Sequence, residues 1–410
     1  MESRPFSVSQ QFYLSLYWFA LNYHWGALLM IVIPAEVLRF VPEARKGAAL
    51  GFVLALGALI AMVVQPVVGA ISDRTTARLG RRRPYIIAGT IANALGILAM
   101  AYSPNLTVFT LSVLFVQLTN NISGGAYQGL IPDLVPEELR GTASGWMGLQ
   151  TMVGTVVGAT LAGPLFEAGY RLPFYWSIIA VLMVSMILTV WRVRETPLEE
   201  VKPFDWAGFA AGFWISPRKY PDFAWVFLTR ALVLLGFYTF LSYLAYYLKD
   251  VIRLRDFMTG ASYVNVAVMA GATASTLFAG WASDRYGRRS MVFISGILMG
   301  VTGLAFILTH SFAVVLAFGL VFGLGYGAYT SVDWALATDV LPSNASAGKD
   351  MGIWGIAATL PQVVAPGIAG GLLDRFNLAA PNLGYTVIFS LAVGYFAVGS
   401  ILVWKIRRAR

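Results

Sequence analysis

The chain has 410 residues, of which 58% are hydrophobic and only 12% are charged, whereas soluble domains carry about 25% charged residues. This composition excludes an ordinary soluble protein, because apolar stretches of about 20 residues, each long enough to cross a bilayer, recur from end to end. The net charge of +9 does not indicate nucleic-acid binding, since the basic residues lie in short loops between the apolar runs.

Apolar runs separated by helix-breaking and charged residues predict twelve membrane-spanning helices. The first run follows a short polar segment without a cleavage site, so we expect it to be a helix of the mature protein and not a signal peptide. The fold is therefore predicted to be an all-α membrane protein. The predicted ranges are 12–38, 47–71, 84–102, 105–131, 142–166, 172–192, 223–249, 259–282, 290–309, 312–337, 349–373 and 383–404.

Arginine and lysine concentrate in the loops after even-numbered helices and in both tails, such as "RRRP" (81–84) and "KIRRAR" (405–410). Loops after odd-numbered helices are often uncharged, as in "YSPN" (102–105), although 39–46 and 249–256 carry mixed charge. The positive-inside rule then places both termini in the cytoplasm. We expect a multi-pass protein of the cell (inner) membrane.

Three motifs recur just over two hundred residues apart. This repetition predicts two parallel six-helix bundles, 1–192 and 223–410, joined by a charged cytoplasmic linker at 193–222. Within the linker, the aromatic segment 204–214 is too short to span, and we expect it to lie in the membrane interface. The motif pairs are "GAISDRTTARLGRRRP" (69–84) with "GWASDRYGRR" (280–289), "PDLVPEELRG" (132–141) with "TDVLPSNASAG" (338–348), and "AGPLFE" (162–167) with "AGGLLD" (369–374).

The duplicated GxxSDR…GRR loop resembles the loop found after helices 2 and 8 in the major facilitator superfamily. "WGALLMIVIPAEV" (25–37), "VVQPVVGAISDRTTARLGRRRPYI" (63–86) and "NNISGGAYQGLIPDL" (120–134) further resemble the sucrose/proton symporters and their bacterial relatives. The resemblance implies alternating access between the two bundles, a sugar as the substrate, and a proton or another cation as a possible partner. It implies a monomer in a lipid bilayer, with no cofactor and no nucleic acid.

The sequence departs from the plant symporters in helix 4. Those proteins carry an aspartate three residues before the paired asparagines and an arginine seven residues after them, and use this charged pair in proton coupling. Gln117 and Gln128 occupy these positions here. The resemblance therefore does not extend to the coupling mechanism.

The duplicated loop predicts two cytoplasmic gates. Its aspartates lie at helix ends, where a carboxylate can accept hydrogen bonds from the free amides at the start of another helix. The resemblance implies that Asp73 contacts the start of helix 11 near Gly348, and Asp284 the start of helix 5 near Thr142. It also places Arg81 opposite Asp133 and Arg288 opposite Asp339. The alternative is that the arginines are topology anchors only. Predicted gating residues are Asp73, Arg74, Arg81, Asp133, Asp284, Arg285, Arg288 and Asp339.

In this fold helices 1, 4, 7 and 10 line the cavity, and here they carry polar and aromatic residues that lipid-facing helices do not need. Amides offer donors and acceptors to hydroxyl groups, and aromatic faces stack on the apolar side of a sugar ring. Packing or interface anchoring is the alternative for each aromatic residue. Predicted substrate-binding residues are Asn22, Tyr23, His24, Gln117, Asn120, Asn121, Gln128, Tyr238, Tyr329 and Trp334.

Few ionisable residues remain at membrane depth. Arg230 is predicted about 10 Å above the cytoplasmic end of helix 7, and Asp333 about 9 Å before Asp339 in helix 10. This matching depth predicts an Arg230–Asp333 ion pair, since either charge alone would be costly there. Asp333 and Arg230 are the predicted coupling residues. His24 is the competing proton carrier, with a packed neutral histidine as its alternative.

Other functional classes have weaker support. The glycines of "GLGYGA" (323–328) lie inside an apolar span and favour close helix packing over dinucleotide binding, as do Gly154 and Gly158. The sequence shows no catalytic constellation, zinc-ligand spacing or cysteine, so we expect no enzyme, cofactor or metal site. We expect a secondary active transporter of a small polar solute, such as a disaccharide or other glycoside. The alternatives are an exporter of amphiphilic drugs or lipids and a non-transporting sensor or scaffold.

Overall fold

The computed structural model describes residues 7–193, 195, 216–340 and 347–407, apart from the side chains of residues 277, 284, 338 and 347–353. These residues form an all-helical protein, with no strand in the described part. Segment 204–214, predicted to lie in the membrane interface, falls outside the described residues. The helices are α1 Val8–Phe40, α2 Lys46–Ser72, α3 Arg83–Ala101, α4 Leu106–Leu134, α5 Arg140–Glu167, α6 Arg171–Arg192, α7 Pro221–Ser242, α8 Phe257–Tyr286, α9 Arg288–Leu308, α10 Phe312–Asp339, α11 Ala347–Ala379 and α12 Leu383–Leu402.

These helices match the twelve predicted spans in number and order. Eleven helices within the described residues are long and apolar enough to cross a membrane, and α8, with 30 residues, has the length for a span as well. The predicted boundaries agree with the observed ones to within a few residues at most ends, because the apolar runs end at Pro, Gly and charged residues.

Three helices depart from the regular pattern that the sequence predicts. Helix α1 contains a π-helical turn at Leu28–Val32, just before Pro34, whose ring cannot continue the regular hydrogen-bond ladder. Helix α4 is interrupted between Tyr127 and Leu130, next to Gly129. Helix α7 ends at Ser242, and the short helix Leu244–Asp250 continues from it, although one helix is predicted over 223–249.

Contacts divide the described residues into two compact units. The first contains Met1–Glu36 and Leu56–Phe204, and the second contains Val37–Ala55 and Asp205–Arg410. Segment 37–55, from the end of α1 to the middle of α2, therefore packs with the second unit, although it precedes the predicted linker. The predicted domain boundaries at 192 and 223 remain a prediction.

The packing inside the two units repeats. In the first unit α1 packs against α5 and α6, and α3 packs against α4 and α6. In the second unit α7 packs against α11 and α12, and α9 packs against α10 and α12. Each pair in one unit thus has a counterpart six helices later in the other, as expected for a duplicated six-helix bundle.

Glycines permit the close helix contacts that their spacing predicts. A Cβ atom at Gly154 or Gly158 would collide with backbone carbonyls of α1, and one at Gly323 or Gly327 would collide with carbonyls of α8. Small residues let two helix backbones approach each other in a membrane, where a larger side chain would push them apart.

Candidate functional site

A neutral polar cluster lies inside the first unit, where α1, α3 and α4 meet. His24 is fully buried, faces the Asn120 side chain and stacks on Trp25 with the ring centres 4.7 Å apart. Neither nitrogen of His24 reaches a partner at hydrogen-bonding geometry. Asn93, also fully buried, donates from its amide to Asn120 at 3.4 Å and leaves its own Oδ1 atom without a partner.

Gln117 and Asn121 extend this cluster along α4. The Asn121 amide donates to the Gln117 carbonyl at 2.7 Å and to Gln117 Oε1 at 3.2 Å. Gly57 of α2 faces the same side chain, since a Cβ atom there would lie 3.1 Å from Gln117 Cγ. The predicted Gln117, Asn120 and Asn121 are therefore buried amides in two hydrogen-bonded pairs, Gln117–Asn121 and Asn93–Asn120, and His24 lies beside Asn120.

The other predicted substrate residues of the first unit lie outside this cluster. The Asn22 amide donates to the Trp18 carbonyl at 2.8 Å, one turn earlier in its own helix. Tyr23 is buried against α6, and its hydroxyl is hydrogen bonded to Ser177 at 2.9 Å. Gln128 is exposed at the interruption of α4. The amide nitrogen of Asn22 and the hydroxyl of Tyr23 are thus engaged within the unit, and a substrate role for Asn22, Tyr23 and Gln128 stays a prediction.

The second unit contains the predicted ion pair. Arg230 Nη1 is bonded to Asp333 Oδ2, and the Tyr329 hydroxyl donates to Asp333 Oδ1 at 3.1 Å. The carboxylate of Asp333 is almost completely buried, and the guanidinium lies over the ring of Trp354, with Cζ 3.4 Å from the ring centre. The ion pair between α7 and α10 that was predicted from matching depth is therefore present.

Aromatic side chains surround the ion pair. Tyr238 is hydrogen bonded to Gln362 of α11, and Tyr326 stacks on Phe237 with the ring centres 4.2 Å apart. Trp334 is 59% exposed and meets Trp354 edge to face at 5.1 Å. Of the predicted substrate residues in this unit, Tyr329 touches the ion pair directly and Trp334 adjoins Trp354.

The loop between α2 and α3 is organised around Arg82, which the sequence analysis did not single out. Its guanidinium is buried and is bonded to Asp73, to Asp133 at 3.0 Å and to Ser72 at 2.7 Å. Arg81 is bonded to Asp133 as predicted. The Asp73 carboxylate is bound within its own loop by Arg82, and its predicted contact with the start of α11 remains a prediction.

Glu195, which follows α6 in the chain, contacts this loop. Its carboxylate accepts the backbone N–H of Arg82 at 2.8 Å, beside Gly80, whose φ of +98° favours glycine. Burial raises the pKa of the Glu195 carboxyl, while the backbone amides of Arg82 and Arg83 oppose this shift. Arg74, a predicted gating residue, donates to the Ala70 carbonyl at 3.0 Å in its own helix end.

The corresponding loop of the second unit is shorter. Arg288 is bonded to Asp339, as predicted, and donates to the Ala335 carbonyl at 2.8 Å. Arg285 lies over the rings of Trp281 and Tyr286, 5.8 Å from each ring centre. The side chain of Asp284 falls outside the described residues, so its gating role stays a prediction.

Two further charged groups were not anticipated. In the first unit, Arg171 is bonded to the fully buried Glu36 and donates to the Ala101 carbonyl at 2.6 Å. In the second unit, Asp374 accepts the backbone amides of Gly47 at 2.9 Å and Ala48 at 2.7 Å, at the start of α2. No three acidic or histidine side chains of the described residues come together as a metal site requires.

Three of the residues missed from the sequence have partners that lie far away in the chain. Asn93, Arg171 and Trp354 each occur in an apolar or mixed run whose spacing gives no indication of a polar neighbour. Glu36 lies within the first predicted span, but nothing in the sequence indicated Arg171 as its partner. Only for Arg230 and Asp333 did depth alone identify both members of a pair.

Comparison with known proteins agrees with this fold. A sucrose transport protein of Arabidopsis thaliana is 25% identical over 84% of this chain and 80% of its own length. A class H tetracycline resistance protein of Pasteurella multocida is 27% identical over 42% of each chain. The solved structure of a D-xylose–proton symporter superimposes with a TM-score of 0.73 at 15% identity, over 97% of this chain and 98% of that one.

The family model described as "MFS/sugar transport protein" matches residues 46–404, which is most of the chain. The protein therefore belongs to the MFS/sugar transport protein family of the major facilitator superfamily, and it is a multi-pass membrane transporter, not an enzyme.

Proposed function

We propose that this protein is a proton-coupled sugar transporter that moves a disaccharide or a related glycoside across the cell (inner) membrane by alternating access. The observation that carries the choice of a sugar is the neutral cluster in the first unit. His24, Asn120 and Asn121 offer hydrogen bonds without a fixed charge, as hydroxyl groups require. Similarity to a sucrose transport protein over 84% of the chain supports the same substrate class.

The coupling site belongs to the second unit in this proposal. Asp333 is paired with Arg230 and accepts from Tyr329 at 3.1 Å, so its carboxylate has a counter-charge and a hydrogen-bond donor in this state. When Arg230 moves away in another state of the cycle, the buried carboxylate loses its counter-charge and takes up a proton. This mechanism locates coupling in α7 and α10, and accounts for the uncharged Gln117 and Gln128 in α4.

The proposed gate uses the duplicated loops on the cytoplasmic side. Asp73 and Asp284 would hold the starts of α11 and α5 in one state of the cycle and release them in another. Both termini are cytoplasmic in this arrangement, and the monomer is the working unit.

Topology can be tested by cysteine labelling without background, because the natural chain contains no cysteine. Asn105 caps α4 through its side chain, so the label is placed at the neighbouring exposed Pro104, with Thr76 as the cytoplasmic control. Pro104→Cys should react with an impermeant maleimide from outside and Thr76→Cys from the cytoplasm only. Reaction of Pro104→Cys from the cytoplasm alone would reject the topology.

Transport is tested in proteoliposomes with radiolabelled sucrose and maltose, with and without an inwardly directed proton gradient. The expected result is accumulation with the gradient, equilibration without it, and loss of accumulation with a protonophore. Equilibration that ignores the gradient would reject proton coupling while keeping sugar transport.

Similarity to a tetracycline resistance protein over 42% of the chain favours a second candidate, the export of amphiphilic compounds. Under this alternative the same vesicles would release labelled tetracycline in exchange for protons that enter down their gradient. They would not transport sucrose. Transport of neither solute would point to the sensor or scaffold class.

A further inference from the structure

Trp354 of α11 lies directly against the Arg230–Asp333 ion pair. Its ring centre is 3.4 Å from Arg230 Cζ, and the side chain is only 5% exposed. A guanidinium over an indole face is attracted by the ring quadrupole, and more strongly when water is excluded. Arg230 is therefore held by two groups, the carboxylate of Asp333 and the face of Trp354.

Two hydrogen-bond donors in this contact lack an acceptor among the described residues. Trp354 Nε1 and Arg230 Nε are both buried, and no described side chain or backbone group accepts from either. Buried polar groups are paired in the great majority of cases, so two orphan donors in adjoining side chains indicate a partner that binds from outside the chain. Both are N–H groups that cannot accept, whereas a sugar hydroxyl oxygen accepts well.

We propose that Trp354 connects sugar binding to the ion pair: its indole N–H donates to an acceptor oxygen of the sugar, and its ring face keeps Arg230 beside Asp333. Trp354 is thus a substrate contact and a positioning residue for Arg230. The inference rests on the proposed function, since it takes a sugar as the ligand.

The two roles are separable by substitution. Trp354→Phe keeps an aromatic face for Arg230 and removes the N–H, whereas Trp354→Leu removes both. Trp404→Phe is the matched control, because Trp404 is an exposed tryptophan of the second unit that packs edge-on against Phe293. The measurements are the KM of sucrose counterflow, which needs no gradient, and the accumulation ratio under a proton gradient at saturating sucrose.

Trp354→Phe should raise the counterflow KM about three- to tenfold, the effect of one lost hydrogen bond, and keep the accumulation ratio. Trp354→Leu should raise KM similarly and lose most of the accumulation. Trp404→Phe should change neither. An unchanged KM in Trp354→Phe overturns the substrate contact, and normal accumulation in Trp354→Leu overturns the positioning role.

A stability cycle distinguishes failure of this inference from failure of the proposed function. The melting temperature in detergent is measured for Trp354→Leu, Arg230→Gln and the double variant. If the ring holds Arg230, Trp354→Leu lowers the melting temperature less in the Arg230→Gln background than in the natural chain, whatever the substrate is. Equal lowering in both backgrounds overturns the positioning role. If the natural protein moves no sugar, the substrate contact falls together with the proposed function.

Discussion

Each unit contains a buried ion pair of similar composition, but the two pairs differ in the hydrogen bonds that the arginine makes. In both, an arginine is bonded to a buried carboxylate that also accepts a tyrosine hydroxyl: Glu36 from Tyr175 at 3.2 Å and Asp333 from Tyr329 at 3.1 Å. In both, the guanidinium also lies over an aromatic ring, that of Tyr175 or Trp354.

The surroundings of the two arginines separate the pairs. Arg171 is the first residue of α6, and it also donates to the Ala101 carbonyl at the end of α3. Arg230 lies within α7, away from free helix ends, and its Nε atom has no acceptor among the described residues. The Arg171 pair joins the start of α6 to α1 and to the end of α3, so moving it would break bonds to two helices, which suits a structural role. A pair with an open donor at membrane depth can exchange partners, as a coupling site must.

The largest expected effect comes from neutralising Asp333. Asp333→Asn should abolish gradient-driven accumulation and leave sucrose counterflow, since exchange requires no net proton movement. Arg230→Gln leaves a buried unpaired carboxylate, which costs about 3–5 kcal/mol, and should lower the amount of folded protein. The double variant Arg230→Gln/Asp333→Asn should recover the abundance of folded protein but should show no sugar accumulation. Transport assays normalised to protein amount test both statements.

His24→Gln is the control for the location of coupling, because His24 is the other titratable group that the sequence nominates. It should keep accumulation. Accumulation that survives in Asp333→Asn and disappears in His24→Gln would place the coupling site in α1 of the first unit. The ion pair of the second unit would then have no role in coupling.

Neutralising Glu36 in the ion pair of the first unit should lower the stability of the protein and leave coupling unchanged. Glu36→Gln keeps the Arg171 bond to Ala101 and should destabilise the protein by about 1–3 kcal/mol. The melting temperature in detergent should fall, while the accumulation ratio per folded molecule stays at the natural value. A lower accumulation ratio with an unchanged melting temperature would show that both pairs carry coupling.

Substitution of the two glutamines of α4 should change only the apparent affinity for the sugar. Gln117→Leu removes the side-chain acceptor of Asn121, which keeps the Gln117 backbone carbonyl, and Gln128→Leu removes an exposed amide outside the cluster, at the interruption of α4. Each should raise the counterflow KM about two- to tenfold at equal abundance, corresponding to one hydrogen bond. Unchanged transport in both variants would reduce these glutamines to packing residues.

The smallest effect is expected at the cytoplasmic loop. Asp73 is half exposed and its partner Arg82 keeps Asp133, so Asp73→Asn should shift the balance towards the inward-open state by less than about 1 kcal/mol, at most about fivefold. Spin-label distances across the cytoplasmic face measure this shift. A shift beyond tenfold would show that Asp73 makes a stronger contact than its bond to Arg82.

Residue order alone was sufficient for the features that depend on local pattern. Apolar run lengths predicted the number of helices, and repeated motifs predicted a duplicated bundle, which the packing of each unit reproduces. The constant rise of 1.5 Å per residue placed Arg230 and Asp333 at one depth, which was enough to pair them. Glycine spacing likewise predicted the close contacts of Gly154 and Gly323.

Tertiary structure decided everything that depends on helix rotation and on which helices are neighbours. Depth could not show that Trp354 faces Arg230, because the contact requires α11 to present one particular side to α7. It could not show that Glu36 meets Arg171, or that Arg82 rather than Arg81 is the centre of the loop, since three adjacent arginines are equivalent until the chain turns. Periodicity fixes which residues share a helix face, whereas the partner of that face is set by the packing of segments that lie far apart in the chain, 139 residues for Glu36 and Tyr175 and 327 for Gly47 and Asp374.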